Sequence, residues 1–347
     1  MKQRYGSKIR DVLASIEWKG QNLISSGAVV DIAVSEGTDA VKANLVVQIE
    51  ATDAKNMSHL KQQIQEAVEG ISGITDVAIV FTAHKDKEAP KASDKLELAG
   101  VKRVIAVISG KGGVGKSTVS ANLAGAFAAK GHKVGLVDAD VYGPSIPKMF
   151  GVSEKPAVGS DKKLIPIKKH GISLMSIGFM VGEDSPMIWR GPMVHGAVMQ
   201  LFRDVDWGEL DVLIVDMPPG TGDAHITLSQ KIPLSGAIVV STPQDIALID
   251  ARKGIAMMQR VGIPILGLIE NMSYFTCPCC GERSEIFGNG GAKAEAEKQG
   301  VPFLGEVPID IAIRHCSDKG EILPVFDPDC AASKAYIKIA EQLCLLR

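Results

Sequence analysis

The sequence predicts an α/β fold, a mainly parallel sheet flanked by helices, preceded by a small α+β domain. Three observations carry that expectation. Short runs rich in Val, Ile and Leu alternate with helical segments after about residue 100. A glycine-rich turn, "GKGGVGKST", stands between the first of those runs and the first helix. A charged, proline-containing stretch without periodicity separates all of this from a compact N-terminal pattern. At 347 residues the chain has room for two cores, since one core commonly serves about 100 to 200 residues.

The N-terminal elements follow in order. "SKIRDVLASIEW" reads as a helix, and "AVVDIAVSEG" and "VKANLVVQIEA" alternate like half-buried strands. "NMSHLKQQIQEAVEGI" is an amphipathic helix and "ITDVAIVFTA" a closing strand. This α-β-β-α-β unit is expected over residues 1–83. The linker is expected over 84–100, where "HKDKEAPKASDKLELAG" brings charge and small residues. Over residues 101–347, "VKRVIAVIS", "KVGLVDAD", "DVLIVDMP", "GAIVVST" and "PILGLIEN" have the apolar continuity of strands buried on both faces.

Composition narrows the function classes. The formal net charge of −2 gives no electrostatic case for nucleic acid or an anionic membrane as partner. No apolar run approaches the roughly 18 residues that span a bilayer. The N-terminus lacks the apolar core of a secretory signal, and Asp11 and Glu17 speak against a transit peptide. A reducing cytoplasm is therefore expected. There, a tight cysteine cluster points to metal or redox chemistry before a disulfide framework.

The glycine-rich turn carries the first chemistry. Gly110 to Ser117 match G-x-x-x-x-G-K-[ST], with a buried strand before and the helix "STVSANLAGAFAAKG" after, which Gly131 is placed to stop. Gly110, Gly112, Gly113 and Gly115 let the backbone curl around an anion at a helix N-terminus. Lys116 can then reach the β- and γ-phosphates of ATP, and the Ser117 hydroxyl can coordinate Mg²⁺. Val114, Lys111 and Thr118 complete the candidate nucleotide set. Asp216 ends the strand of "VLIVDMPPGTGD" and is a candidate for the Mg²⁺ shell, with Gly220 and Gly222 in the loop beyond. Asp138 and Asp140, at the end of another strand, share one side of an extended chain; ordinary turn acids are the alternative reading.

The cysteines carry the second. Of six, Cys277, Cys279 and Cys280 fall in "YFTCPCCGERSEIFG". Cys277 and Cys280 form C-x-x-C, whose soft sulfur ligands suit Zn²⁺ or an iron–sulfur cluster. One C-x-x-C is half of a four-ligand site. A second pair is missing, because Cys316, Cys330 and Cys344 are scattered. Two-fold symmetry would complete it with a second copy of the turn. A redox pair, a structural zinc knuckle and inert cysteines are the competing readings. Cys279 is either a filler or a spare thiol, and His315 beside Cys316 is a weak pair.

With these residues in view, the chain resembles a known family. Lys111 is similar to the extra lysine of the deviant Walker A ATPases. "DADVYGPSIPKMFG", "MIWRGPMV", "DWGELDVLIVDMPPGTGD", "STPQDIALIDARKG" and "IENMSYFTCPCCGERSEIFGNGGA" resemble the Mrp/ApbC branch of the MinD-like ATPases over roughly residues 100 to 345. The N-terminal domain is similar to the MIP18-type domain, but reads "IEATDAKNMSH" where many such domains carry a cysteine.

The resemblance implies an ATP-hydrolysing homodimer that holds a [4Fe–4S] cluster at its interface. It implies that the cluster comes from assembly machinery and passes to apoproteins. It assigns Lys111 to the partner's nucleotide, Asp140 to the attacking water, Asp138 to the Mg²⁺ environment and Asn271 to the adenine edge. A MinD/ParA-like positioning switch with a structural zinc is the alternative, but no basic cluster or strong amphipathic tail stands out. An electron donor like nitrogenase iron protein places its cysteines differently.

Overall fold

The computed structural model describes residues 2–18, 20–26, 28–36, 41–50, 57–84, 95–180 and 191–346. Much of the expected linker, part of "IEATDAKNMSH" and the first half of "MIWRGPMV" lie outside them. Contacts divide the chain into two compact units, Met1–Lys91 and Ala92–Arg347.

In the first unit, α1 (Lys2–Leu13) is followed by a small hairpin of β1 (Glu17–Trp18) and β2 (Gln21–Asn22). A three-stranded sheet comes next. β3 (Val29–Glu36) runs antiparallel to β4 (Val41–Glu50), and β4 runs parallel to β5 (Ile74–His84) after the crossover helix α2 (Met57–Glu69). Leu60, Ile64 and Val68 recur every fourth residue of α2 and are its buried side chains. They share a core with Ile9, Leu13 and Leu45. The first helix starts earlier than the sequence pattern suggests and stops at Leu13 rather than Trp18. Ser15 Oγ donates to the Val12 carbonyl at 2.6 Å, so a side chain takes an acceptor the helix would use, and Trp18 enters the hairpin instead.

The second unit runs β6 (Val104–Ile108), α3 (Lys116–Ala129), β7 (Val134–Asp138), α4 (Ile146–Met149), β8 (Ile167–Lys169), β9 (Ile172–Ser176) and α5 (Gly191–Arg203). It continues with β10 (Val212–Asp216), α6 (Asp223–Lys231), β11 (Gly236–Ser241), α7 (Asp245–Arg260) and β12 (Ile265–Glu270). The last elements are β13 (Phe275–Thr276), β14 (Arg283–Ser284), α8 (Gly291–Gln299), β15 (Phe303–Glu306), α9 (Ile311–Lys319), α10 (Leu323–Phe326) and α11 (Ala331–Leu345).

Eight strands form one sheet in the order β15-β12-β11-β6-β10-β7-β9-β8. Every pairing is parallel except that of β8 with β9, so the mainly parallel sheet expected from the apolar runs is the sheet observed. Every residue of β6, β7, β10 and β11 is buried, which is why those runs read as continuous rather than alternating. The short strands β8, β9 and β15 were not apparent from the sequence.

From β6 the chain builds outward through β7 and β9, then returns through β10 to build the opposite way through β11, β12 and β15. The reversal leaves a crevice beyond the carboxyl ends of β6 and β10, where open α/β sheets bind ligands. The helices pack in two groups: α3 with α10 and α11, and α5, α6, α7 and α8 in succession.

Candidate functional site

The turn from β6 into α3 is shaped by what glycine alone permits. Gly113 and Gly115 have φ of 85° and 82°, in the left-handed region. A Cβ on Gly115 would lie 2.2 Å from Asn271 Nδ2, and one on Gly110 would lie 2.1 Å from the Asp250 carbonyl oxygen of α7. Gly112 is exposed at the tip and Val114 is buried beneath it. The Val114 carbonyl accepts from Asn271 Nδ2 at 2.8 Å, so the end of β12 is bonded to the turn. Thr118 is half-buried, its carbonyl taken by Asn122 Nδ2. The Lys111 carbonyl accepts from Ser109 Oγ at 2.9 Å. The half-exposed Lys111 ammonium has no ion pair among the described residues.

Lys116 is buried among acids. Its Nζ lies 2.7 Å from Asp216 Oδ1 and 3.7 Å from Asp140 Oδ2. Ser117 Oγ and Ser120 Oγ also donate to Asp216, at 2.5 and 2.8 Å. Asp138 is equally buried but turned to its own loop: it accepts from the N–H groups of Asp140 and Ile146 and from Ser176 Oγ. Burial, with Asp216 nearby, pushes the Asp138 pKa up to about 7. Burial also raises that of Asp140, against the pull of Lys116. Three buried carboxyl groups therefore share one buried cation. Such a site favours a divalent cation, and Ser117 and Asp216 are the residues that could hold its shell.

The cysteines sit in the β13–β14 hairpin. Cys277 N–H donates to the Glu282 carbonyl at 2.9 Å, and Gly281 N–H returns to the Cys277 carbonyl at 2.9 Å. Backbone N–H groups of Cys280, and next Cys279, point at the Cys277 sulfur and hold its pKa below the ordinary thiol value. Cys277 is half-buried, and Cys279 and Cys280 are exposed. The other thiols stand apart. Cys316 lies on α9 with its pKa raised by burial, Cys330 caps α11 by accepting from the Ser333 N–H, and Cys344 faces His132. Among the described residues, no three His, Cys, Asp or Glu side chains gather into a metal site, so the turn is not a closed ligand set within one chain.

Comparison with known proteins decides the family. The family described as ParA, NUBPL iron-transfer P-loop NTPase, matches residues 100–344. The chain belongs to the NUBPL iron-transfer P-loop NTPase family.

It is 45% identical over 313 residues to a protein of Haemophilus influenzae named iron-sulfur cluster carrier protein, covering 89% of this chain and 83% of that one. The nucleotide-binding protein of Archaeoglobus fulgidus, solved in complex with ADP, is 43% identical with a TM-score of 0.58, covering 65% of this chain and 89% of that one. The cell division ATPase MinD of Pyrococcus furiosus shares the fold, at 23% identity and a TM-score of 0.54, covering 71% of this chain and all of that one. These findings agree with the Mrp/ApbC resemblance read from the sequence.

In this iron-transfer NTPase, Glu270 and His225 are among the buried polar residues that escaped the sequence reading. Glu270, fully buried at the end of β12, accepts from Ser273 Oγ and from the N–H groups of Gly290 and Ala292 at the start of α8. It fixes both ends of the segment carrying the cysteines. Only its place beside Asn271 hinted at this. At the root of the hairpin, the Arg283 guanidinium lies 3.9 Å from the Tyr274 ring centroid and pairs with Glu306.

His225, in the first turn of α6, is 3% exposed, and neither ring nitrogen has a partner among the described residues. Burial, then Lys116, lowers its pKa from 6.5 to about 4. Between those values the unfolded chain binds more protons than the folded one, so acidification costs the fold on the order of 3 kcal/mol across that window. Stability from this group is present above pH 6.5 and lost as pH falls toward 4. Melting of the nucleotide-free protein at pH 7 and pH 5 tests this: the fall in Tm is smaller in His225→Leu than in the wild type. Parallel profiles would contradict it.

Proposed function

We propose that this protein is a homodimeric, Mg²⁺-dependent ATPase that carries a [4Fe–4S] cluster between its subunits and delivers it to apoproteins. The observation that carries the reading is the Cys277 turn: a thiol pair with N–H groups aimed at one sulfur, six positions after the residue bonded to the phosphate-binding turn. Sulfur ligands lowered in pKa this way bind soft metal centres, and N–H···S contacts offset the charge of a thiolate-ligated cluster. Two copies related by a two-fold axis bring four thiolates, from Cys277 and Cys280 of each chain, to one cargo cluster.

The nucleotide chemistry falls to this chain's own residues. Lys116 leaves Asp216 for the β- and γ-phosphates when ATP enters, and the N–H groups of the 110–117 turn take the remaining oxygens. Ser117 and Asp216 would hold Mg²⁺, which would neutralise charge on the phosphates. Asp140 orients the attacking water. Asp138 holds the loop that carries Asp140, and so acts on the Mg²⁺ environment by position. Lys111 reaches the nucleotide of the second subunit. Exposed Ile246 and Ile249 of α7, with Ile286 and Phe287 beyond the cysteine hairpin, supply apolar surface for that dimer.

The first unit serves as a docking module for clients or for the assembly machinery that loads the cluster. Free cysteines of this kind belong in a reducing compartment such as the cytoplasm. No helix among the described residues is long and apolar enough to cross a membrane.

Anaerobic reconstitution tests the reading. Iron and sulfide at about four each per two chains are expected; zinc in their place, or no metal, would contradict it. Asn271 gives a separate expectation. With Nδ2 engaged on Val114, its Oδ1 is left to accept from the adenine amino group. Asn271→Ala should raise KM for ATP about tenfold with a smaller change in kcat, and narrow the preference for ATP over GTP. An unchanged KM and preference would remove Asn271 from the adenine site.

A further inference from the structure

A groove of about 480 Å³ runs beside β15, at the edge of the large sheet. Phe303 and Ile339 give it an apolar floor, and Tyr274 at the root of the cysteine hairpin also lines it. Among the described residues β15 pairs with β12 alone, so its second edge presents unpaired backbone N–H and C=O groups. Lys293 of α8 and Lys334 and Lys338 of α11 line the same groove. The two on α11 are one helical turn apart and share a face. All three are exposed, and none has an ion pair among the described residues. Glu306, a carboxylate on the groove, is already engaged by Arg283. An open strand edge with an uncompensated row of three cations stands out on a chain of net charge −2.

We propose that this groove takes an extended acidic segment of the apoprotein that receives the cluster, added as a further strand beside β15. Main-chain hydrogen bonds to the free edge supply the pairing. Alternate side chains of the added strand face the lysines, so an acid at every second position fits the spacing. The charge complementarity fixes the chemistry of the partner. The shared residue Tyr274 connects the groove to the cysteine hairpin, which is where an acceptor must wait. That the partner is a cluster acceptor rests on the carrier reading above; that the groove binds an acidic strand does not.

Full-length protein and a fluorescein-labelled peptide of alternating Glu and Val, followed by anisotropy, test the groove. The peptide is expected to bind, with affinity falling at least about tenfold in Lys334→Glu/Lys338→Glu. Its Lys-Val counterpart and a backbone N-methylated version are expected not to bind. Equal binding by the variant, equal binding of the N-methylated peptide, or stronger binding of a single-stranded oligonucleotide would overturn the groove assignment. For the acceptor assignment, the variant should keep its ATP hydrolysis and iron content yet pass its cluster to an apo-ferredoxin at least about fivefold more slowly. Peptide binding lost without any change in transfer would overturn the acceptor alone. A wild type without iron would overturn the carrier reading while leaving the peptide result standing.

Discussion

Lys116→Ala should lower kcat for ATP hydrolysis by at least about a thousandfold. In the structure Lys116 Nζ is the cation among Asp216, Asp140 and the more distant Asp138, and it is 6% exposed. Its removal has two effects. The transferred phosphate loses a donor that needs no reorganisation as charge develops. The buried carboxyl groups also lose the counter-charge that offsets their mutual repulsion. Lys116→Arg should fail nearly as completely, because the branched guanidinium cannot occupy a buried slot shaped by Ser117, Ser120 and Asp216. Phosphate release by variants with wild-type circular dichroism measures this. Full hydrolysis by Lys116→Ala would remove the 110–117 turn from the chemistry.

The second large effect is on cargo. Cys277→Ala or Cys280→Ala alone should abolish cluster binding after anaerobic reconstitution, because symmetry makes each substitution remove two of four ligands. Cys279→Ala should keep most of the iron, since the larger contact of Cys279 with the Cys277 sulfur is its backbone N–H, which alanine retains, and its thiol contact is the smallest. ATP hydrolysis by all three should stay within about twofold of wild type, as the hairpin is exposed and the 110–117 turn is untouched. Iron content and absorbance near the sulfur-to-iron charge-transfer region read the result. A Cys277→Ala protein with full iron would rule out the half-site, and Cys279→Ala without iron would promote Cys279 to a ligand.

Much of this geometry was legible because it rests on local signals. The buried runs that became β7 and β10 end in Asp138 and Asp216, and Asp216 at its strand end and Asp140 two residues past β7 both come within reach of Lys116. Glycine spacing described the turn, and the close approaches at Gly110 and Gly115 give the physical reason for it. Asn271 was singled out through resemblance, and its bond to Val114 joins segments 157 positions apart, which no local pattern encodes.

Other features depend on tertiary partners and left no trace in spacing. Glu270 looks like any strand-end acid until the start of α8 is folded onto it. Ser120 reads as a helix-face serine until Asp216 arrives. His225 is one histidine in a helix, distinguished only by the loss of solvent around it. Asp138 and Asp140 looked equivalent from the strand pattern, yet the loop to Ile146 folds back on Asp138 and leaves Asp140 nearer Lys116. The strands β9 and β15 are short, with Ser or Gly inside, so they belong to the sheet by pairing rather than by composition.

In the proposed dimer, two chains share one cluster through Cys277 and Cys280 of each. Native mass spectrometry of the anaerobically reconstituted full-length protein tests it most directly. A species of two chains plus one [4Fe–4S] unit is expected, absent from the Cys277→Ala protein. A single chain carrying its own cluster, or a dimer holding zinc, would contradict it.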